Sequence, residues 1–214
     1  MSRQLTSGVL GRKKGDVWLY KGEVWEYGEI TNPITGRTWM DRNLGASRVA
    51  TAFNDSQSYG DYFQWGRLDD LHQNVDSETT NDLSSSNTPN NGGKFILSTA
   101  DWRDPSNSTL WSDGLNIPAP KGWRLPTEAE WLDEIATWVD KNYDGAFENL
   151  KIPKSGRRNG NDGNRVFTNN LMWLWTSTST SLTNSRFANI TSSNATTSFT
   201  YRAQGMPIRL IKEI

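Results

Sequence analysis

The chain of 214 residues contains no cysteine, one histidine and no long apolar run. The absence of cysteine excludes disulfides, thiolate metal ligands and cysteine nucleophiles. No stretch approaches the roughly 20 apolar residues that a bilayer-spanning helix needs, and residues 1–15 lack the apolar core of a secretory signal. The formal net charge of −1 provides no general attraction to nucleic acid or anionic lipid. We therefore expect neither nucleic-acid binding nor membrane insertion.

Aliphatic residues are scarce, but aromatic residues are plentiful, with 11 Trp, 6 Tyr and 7 Phe. Each buried aromatic side chain removes about 150–250 Å² from water, so these rings can replace missing aliphatic area. A low aliphatic content indicates disorder only when the net charge is also high. Residues 69–93 are polar and lack apolar periodicity, which is typical of a long surface loop. The sequence therefore predicts one folded domain with an aromatic core and long polar loops.

The amino-terminal part has a pattern of its own. Residues 17–28 read VWLYKGEVWEYG, in which aromatic and polar residues alternate on both sides of Gly22, and this pattern predicts a β-hairpin. A lone hairpin is marginally stable, so we expect it to pack on the main domain or on a partner subunit. The residues before it are expected to form an arm that is either flexible or ordered by a partner. We interpret residues 1–30 as an anchoring or oligomerisation element and residues 31–214 as the main domain.

The segment GWRLPTEAEW, residues 122–131, specifies the start of a helix. Thr127 followed three residues later by Glu130 predicts a capping box, in which each side chain binds a free N–H at the helix start. We expect the principal helix at about 127–141, with Trp123 on one side of its start and Trp131 on the other. The apolar stripe of this helix and the residues beside it are Trp131, Leu132, Ile135, Trp138 and Val139.

The segment LMWLWTSTST, residues 171–180, predicts a strand. Because side chains alternate across a strand, Trp173 and Trp175 are expected on one face. Met172 and Leu174 are then expected on the other face.

Five segments in order resemble one known family: TGRTWMDRNLG, YGDYFQWGR, GWRLPTEAEW, LWTSTS and GMPIRLIKE. They are similar to the Fibrobacter succinogenes major paralogous domain, which is grouped with the formylglycine-generating (sulfatase-modifying) enzymes in the C-type-lectin-like fold. The resemblance spans residues 34 to 213, and RLPTEAEW is its most specific part. It implies an α+β fold with a twisted antiparallel sheet, few helices and long irregular loops.

The resemblance does not carry the family's chemistry to this chain. The enzymatic branch oxidises a substrate cysteine with a pair of its own cysteines, and this chain has none. The sugar-binding lectins use calcium with Glu-Pro-Asn or Gln-Pro-Asp and Trp-Asn-Asp triplets, which are also missing here. Relatives in phages and retroelement-diversified systems carry a ligand-binding face between the WTS strand and the closing strand. The resemblance therefore implies a non-enzymatic scaffold with a binding face in residues 177–204.

The interval 177–204 consists mostly of Ser, Thr, Asn and Ala. Short hydrogen-bonding side chains suit recognition of hydroxyl-rich or peptide surfaces, and antibody loops use the same residue types. The alternative is a solvated loop and edge strand without a ligand. The residues expected to contact a ligand are Thr180, Asn184, Arg186, Asn189, Asn194 and Tyr201. The residues expected to hold the frame are Trp123, Thr127, Glu130, Trp131 and Trp175.

Catalytic and metal sites have weaker support in the sequence. We expect His72, the one histidine of the chain, to be an ordinary surface residue. A transition-metal site and a Ser-His-Asp triad would both depend on it, and neither is favoured. Glu128 and Glu130 form a carboxylate pair of the glycosidase type, but capping and the helix dipole account for both. No catalytic or metal-binding residue is assigned, and the only cofactor left open is a structural calcium ion. Its available oxygen ligands match no known loop pattern: Asp101, Asp104, Asp113, Asn161 and Asp162.

These patterns and the resemblance favour a recognition protein on a virion surface, of the phage tail-fibre, knob or head-fibre type. It would bind a host cell-surface receptor or polysaccharide, and an outward-facing domain without an export signal fits a virion. Residues 1–30 would contact other virion proteins and assemble the chain, as a homotrimer. The alternatives are a structural decoration protein of a capsid or tail, a bacterial surface adhesin and a residual enzyme.

Overall fold

A computed structural model describes residues 18–214, which form an α+β domain with short, mostly antiparallel strands. The two α-helices in this part of the chain are α1 (Glu128–Thr137) and α2 (Tyr143–Leu150). Neither of them is long and apolar enough to cross a membrane. The strands are β1 (Leu19–Tyr20), β2 (Glu23–Val24), β3 (Glu29–Thr31), β4 (Thr38–Met40), β5 (Phe63–Gln64), β6 (Thr79–Thr80), β7 (Phe95–Ile96), β8 (Trp123–Arg124), β9 (Arg157–Arg158), β10 (Arg165–Val166), β11 (Met172–Ser179), β12 (Asn184–Ile190), β13 (Ala195–Tyr201), β14 (Gly205–Met206) and β15 (Ile211–Lys212).

Three main sheets organise these strands. One sheet has the order β3-β4-β15-β8, a second has the order β10-β9-β14-β5, and the third has the order β11-β12-β13. The pairs within these sheets are antiparallel, whereas β6 and β7 form a separate parallel pair. The predicted α+β class with mostly antiparallel strands is therefore confirmed. The third sheet contains the longest strands, and it carries most of the interval in which a binding face is expected.

The predicted amino-terminal hairpin is present. Strands β1 and β2 pair around Lys21 and Gly22, and Gly22 has the positive φ of 79° that this turn requires. The hairpin packs on the main domain: Tyr20 is buried, and its hydroxyl donates to Asp61 at 2.6 Å. Lys21 forms an ion pair with the same carboxylate at 2.7 Å. The anchoring role of this element stays a prediction, and residues 1–17 lie outside the described residues.

Helix α1 begins as predicted. The Thr127 hydroxyl accepts from the Glu130 N–H at 3.2 Å, and the Glu130 carboxylate accepts from the Thr127 N–H at 2.9 Å. Both bonds of the capping box are therefore present. The predicted end near 141 is wrong, because the helix ends at Thr137 and Trp138 takes an extended backbone with ψ of 142°.

A second helix replaces the missing last turns. Asn142 caps α2, and its side-chain oxygen accepts from the N–H of Asp144 and of Gly145. The prediction of one principal helix overlooked this second start. Because α1 stops early, Val139 lies outside the helix and is 93% exposed. Leu132 lies within α1, but its side chain points away from the core and is exposed. Of the residues predicted for the apolar stripe and its neighbours, three are therefore buried: Trp131, Ile135 and Trp138.

All eleven tryptophans belong to two hydrophobic cores. The first core is built around Trp65, Trp102 and Trp175, and the second around Trp39, Trp131 and Trp138. The remaining tryptophans lie in or against the first core: Trp18, Trp25, Trp111, Trp123 and Trp173. Aromatic side chains supply half of the buried residues of the first core, as predicted, but the buried residues of the second core are mostly aliphatic. The prediction of an aromatic core is therefore confirmed for the first core only.

The sheet of β11, β12 and β13 separates the two cores. On β11, Trp173 and Trp175 contact the first core, whereas Met172 and Leu174 lie in the second. The predicted alternation of this strand is therefore confirmed. Trp123 and Trp131 also fall into different cores, so the start of α1 lies at their junction.

Candidate functional site

The third sheet has two different faces. We call the side on which α1 packs the helix face, and it carries Asn184, Arg186 and Ala188 of β12. We call the other side the tryptophan face, and it carries Phe187 and Asn189 of the same strand. The interval expected to be a loop or edge strand is therefore mostly sheet, with β12 as the central strand and β13 at the edge.

Two of the predicted ligand-binding residues lie on opposite faces. On the helix face, Arg186 Nε lies 3.2 Å from a carboxylate oxygen of Glu128, and its guanidinium lies 5.5 Å from the Phe199 ring centroid. On the tryptophan face, the side-chain oxygen of Asn189 accepts from the Trp173 indole N–H at 2.6 Å. Arg186 and Asn189 therefore cannot contact one small ligand together, and each has a partner within the chain.

Three other predicted residues come together at one end of the sheet. Asn184 pairs directly with Tyr201, and the Thr180 hydroxyl donates to the Asn184 carbonyl at 3.1 Å. Asn194 lies in the turn at the opposite end of β12, where Thr191 accepts its N–H at 3.1 Å. A strand of this length separates the two ends by roughly 20 Å. The six predicted residues thus do not form one surface, and a ligand contact by any of them stays a prediction.

A polar cleft of about 430 Å³ opens next to Tyr201, beside the end of β13. We call it the Arg157 cleft. Each of its lining side chains has hydrogen-bonding atoms, and none is acidic. The lining residues are Thr99, Arg157, Asn159, Asn161, Thr200, Tyr201 and Gln204. Of these, only Tyr201 was predicted to contact a ligand. The sequence signal for the others is weak, because they come from three separate segments.

Short-range bonds shape the loop that forms one wall of this cleft. The Asn159 side chain accepts from the N–H of Asn161 at 3.1 Å, which closes a tight turn between β9 and β10. The Gln204 side-chain oxygen accepts from the Gly160 N–H at 3.1 Å and ties this turn to the segment after β13. A Cβ on Gly160 would lie 2.9 Å from the backbone of Ala203, so only glycine allows this close approach.

A buried arginine fixes the neighbouring turn between β11 and β12. Arg202 donates to the Leu182 carbonyl and to the Ser179 hydroxyl, both at 2.6 Å. It also forms an ion pair with Asp101 at 3.5 Å. Asp101 was considered as a calcium ligand, but its carboxylate is buried beside this arginine, and burial raises its pKa to about 6. These bonds hold the turn that carries Thr180.

Within residues 18–214, no group of three or more His, Asp or Glu side chains is placed to hold a metal ion. Asp162, another of the oxygen ligands considered for calcium, uses its side-chain oxygen to accept from the Asn164 N–H at 2.9 Å. This bond is an ordinary turn contact. Asp101 and Asp162 therefore have partners within the chain, an arginine and a turn N–H.

The prediction that His72 lies on the surface is wrong, because its side chain is fully buried. Its Nε2 accepts from the Gln64 N–H at 3.0 Å, so the proton lies on Nδ1, which donates to Asp70 at 2.5 Å. Burial, together with the nearby charge of Arg67, lowers the pKa of His72 to about 3. Since both ring nitrogens are occupied, this imidazole has no free atom with which to activate a serine.

The two glutamates at the start of α1 are also engaged. Arg124 donates to Glu130 at 2.6 Å, and Arg37 lies 2.9 Å from the same carboxylate. Burial alone would raise the pKa of Glu130, but the bonds from Arg124 and the Thr127 N–H lower it to about 2. Glu128 accepts from the Thr197 hydroxyl at 2.6 Å. Both carboxylates therefore have structural partners.

The Arg157 cleft and the end of the sheet formed by Thr180, Asn184 and Tyr201 meet at Tyr201. Together they form the candidate functional site, which has hydroxyl, amide and guanidinium groups on a fixed backbone. Groups of these types are able to bind and orient a polar ligand. Comparison of the chain with family models, with curated proteins and with solved structures gave no significant match.

Proposed function

We propose that this chain is a non-enzymatic recognition domain with a C-type-lectin-like fold that acts on a virion surface. In a phage tail fibre, knob or head fibre it would bind a host cell-surface receptor or polysaccharide. The resemblance of five segments to the Fibrobacter succinogenes major paralogous domain supports the fold. The observation that carries the function is the Arg157 cleft, a polar concavity beside an edge strand.

The frame around the cleft favours binding by a preformed site. Tryptophan-rich cores lie on both faces of the third sheet, and Arg202 fixes the turn at its end. A site that is already ordered loses less conformational entropy when a ligand binds. Single contacts of this kind are usually weak, so several copies joined through residues 1–30 would supply avidity.

The chemistry of the cleft supports recognition over turnover. General acid–base catalysis needs a group whose pKa lies near the working pH, commonly His, Asp or Glu. None of the side chains that line the cleft is of these types. His72, Glu128 and Glu130, the residues considered for catalysis, are held by structural partners.

A cell-binding assay with the purified full chain tests this proposal. The probes are a panel of whole bacterial cells and their isolated surface polysaccharides, with the protein displayed in many copies to provide avidity. Thr99 is exposed and lines the cleft, so Thr99→Trp fills the cleft with little effect on folding. We expect this variant to lose at least about tenfold in binding, which corresponds to about 1.4 kcal/mol, with an unchanged melting temperature.

Ser192→Trp is the matched control, because Ser192 is exposed in the turn at the far end of β13. It should bind cells as the unmodified chain does. Absence of binding to any strain would contradict the recognition function. Equal binding by both variants would place the site elsewhere on the molecule.

One observation favours a second function, a structural decoration protein of a capsid or tail. Phe199 on the edge strand is 58% exposed, and Leu182 in the turn before β12 is 69% exposed. Exposed apolar residues on an edge strand suit contact with another protein. In that case particles without this chain would be fragile, while the isolated chain would bind no host cells.

A further inference from the structure

We propose that the Arg157 cleft takes a negatively charged saccharide residue, whose carboxylate or sulfate group binds the Arg157 guanidinium. This inference rests on the proposed function, because it names the ligand class of the same cleft. The cleft volume of about 430 Å³ falls in the range of about 300–1,000 Å³ that is common for small-ligand sites.

The guanidinium of Arg157 has no hydrogen bond or ion pair with any of residues 18–214, and its Nε is buried without a partner. The guanidinium of the adjacent Arg158, in contrast, has several hydrogen-bond partners within the chain. It donates to the Gly163 and Asn74 carbonyls and to both the hydroxyl and the carbonyl of Ser77, at 2.6–3.0 Å. Two neighbouring arginines thus point to opposite sides of β9, and only the one that lines the cleft lacks partners.

Arginines that are more deeply buried than the half-buried Arg157 have strong partners. Arg67 lies 2.5 Å from Asp70, and Arg202 lies 3.5 Å from Asp101. Arg209 donates to the Leu150 carbonyl at 2.6 Å and to the side chain of Asn43. A cation that is partly removed from water without such partners raises the free energy of the empty protein. An anionic ligand in the cleft removes this cost.

Two aromatic rings hold the guanidinium of Arg157 in place. Its central carbon lies 4.9 Å from the Trp173 ring centroid and 5.7 Å from the Phe167 ring centroid. Aromatic contacts bind the face of the guanidinium and leave its N–H edge free. That edge matches the two oxygens of a carboxylate or the oxygens of a sulfate.

The remaining lining fits the neutral part of a sugar. Gln204 uses its side-chain oxygen for Gly160, while its NH2 group makes no hydrogen bond with the described residues. Thr200 and Asn161 add a hydroxyl and an amide to the lining. Amide and hydroxyl groups of this kind bind sugar hydroxyls. No acidic lining residue repels a negative charge.

Calorimetric titration of the full chain with three saccharide probes tests this inference. The probes are an oligogalacturonate, the neutral oligogalactose of equal length and its sulfated derivative. We expect the charged probes to bind at least about tenfold more tightly than the neutral one, and salt to weaken only the charged probes. The two charged probes distinguish a carboxylate ligand from a sulfate ligand.

Arg157→Gln should lower affinity for the charged probe by at least about tenfold and leave the neutral probe unchanged. Arg42→Gln is the matched control, because Arg42 is also half-buried but pairs with Asp41 at 2.7 Å. This control should bind all three probes as the unmodified chain does.

A second variant leaves the arginine and its packing intact. Asn161 is exposed at the cleft, so Asn161→Asp adds a negative charge there with little effect on folding. It should weaken the charged probe by about fivefold. Ser192→Asp adds the same charge in the distant turn and should have no effect. This pair decides the result if Arg157→Gln fails to fold.

Unchanged affinity of Arg157→Gln or Asn161→Asp for the charged probes overturns the inference, and Arg157 is then only a packing residue between two rings. If the chain binds cells but prefers the neutral probe, the inference fails while the proposed function stands. If the chain binds neither cells nor any saccharide, both fail.

Discussion

At the scale of single residues, Glu134 is an acidic side chain buried beside the tryptophans of the second core. Its carboxylate accepts from the indole N–H of Trp39 at 3.0 Å and of Trp138 at 3.1 Å. It also accepts from the side-chain amide of Asn32 at 2.9 Å. One buried carboxylate thus satisfies three donors, which come from β4, from the turn before β4 and from the end of α1. Donors of this kind are costly when they are buried without a partner.

We expect Glu134→Ala to lower the free energy of unfolding by about 3–5 kcal/mol, because it leaves buried donors without an acceptor. Urea denaturation measures this change. Glu148→Ala is the control, since Glu148 is exposed on α2, and it should change stability by less than about 0.5 kcal/mol. Similar losses in the two variants would contradict the role assigned to Glu134.

His72 gives a prediction about pH. Its pKa is about 3 in the folded chain, below the ordinary value of 6.5, because of burial and the charge of Arg67. Between these values the unfolded chain binds a proton that the folded chain does not bind. Stability from this residue is therefore full above pH 6.5 and is lost as the pH falls from 6.5 toward 3.

Two measurements check this behaviour. Since the chain has one histidine, its imidazole NMR signals are unambiguous, and they should show the neutral Nδ1–H form throughout the stable pH range. His72→Gln should flatten the dependence of the urea midpoint on pH between 6.5 and the acid limit. A His72 signal that titrates near 6.5 in the folded chain would rule out the buried neutral state.

The sequence reveals residue types but not which of them face each other. His72 has Asp70 two residues away, and this spacing alone fits a surface turn as well as a buried pair. Burial of His72 depends on the Gln64 backbone and on Phe63, whose ring lies 5.9 Å away. Likewise, nothing in the dipeptide Arg157-Arg158 indicates that one guanidinium is saturated and the other has no partner.

At the scale of elements, the start of α1 depends on local bonds. Thr127→Ala removes the acceptor of the Glu130 N–H and should lower the free energy of unfolding by about 1 kcal/mol. Thr127→Ser keeps the hydroxyl and should stay close to the unmodified chain. Thermal and urea denaturation of both variants check this, and equal loss in the two would mean that packing of the Thr127 methyl group matters more than the cap.

Local signals explain which elements could be predicted. The capping box and the strict alternation of β11 are encoded within ten residues, and both are present. The break after Thr137 has no glycine or proline to signal it. It coincides with contacts across the fold, including the Tyr143 N–H that donates to the Thr191 carbonyl at 3.1 Å. Local periodicity in the sequence does not indicate contacts between residues that are this far apart along the chain.

The composition of residues 177–204 predicted accessible polar groups but not their grouping. Because side chains alternate along β12, Arg186 lies on the helix face and Asn189 lies on the tryptophan face. The cleft instead combines β13 with the turn near Asn161 and with Thr99. A site assembled from separate segments depends on the packing of the whole domain, which residue types in one interval do not specify.

At the scale of the whole molecule, two tryptophan-rich cores enclose the third sheet and support the cleft at its end. The hairpin of β1 and β2 joins the first core through Tyr20 and Asp61, so it belongs to the same packed unit. The two cores and the hairpin therefore form one packed frame around the cleft, although the chain has few aliphatic residues. We expect ligand binding to change the cleft and leave the frame as it is.

Hydrogen exchange of the full chain, free and bound to the cell-surface polysaccharide that retains it, tests this account most directly. The account predicts slower exchange confined to the segments that line the cleft, residues 97–100, 157–163 and 199–204, with unchanged exchange in α1 and the two cores. Protection centred on the helix face around Arg186, or no protection at all in a complex that demonstrably forms, would contradict it.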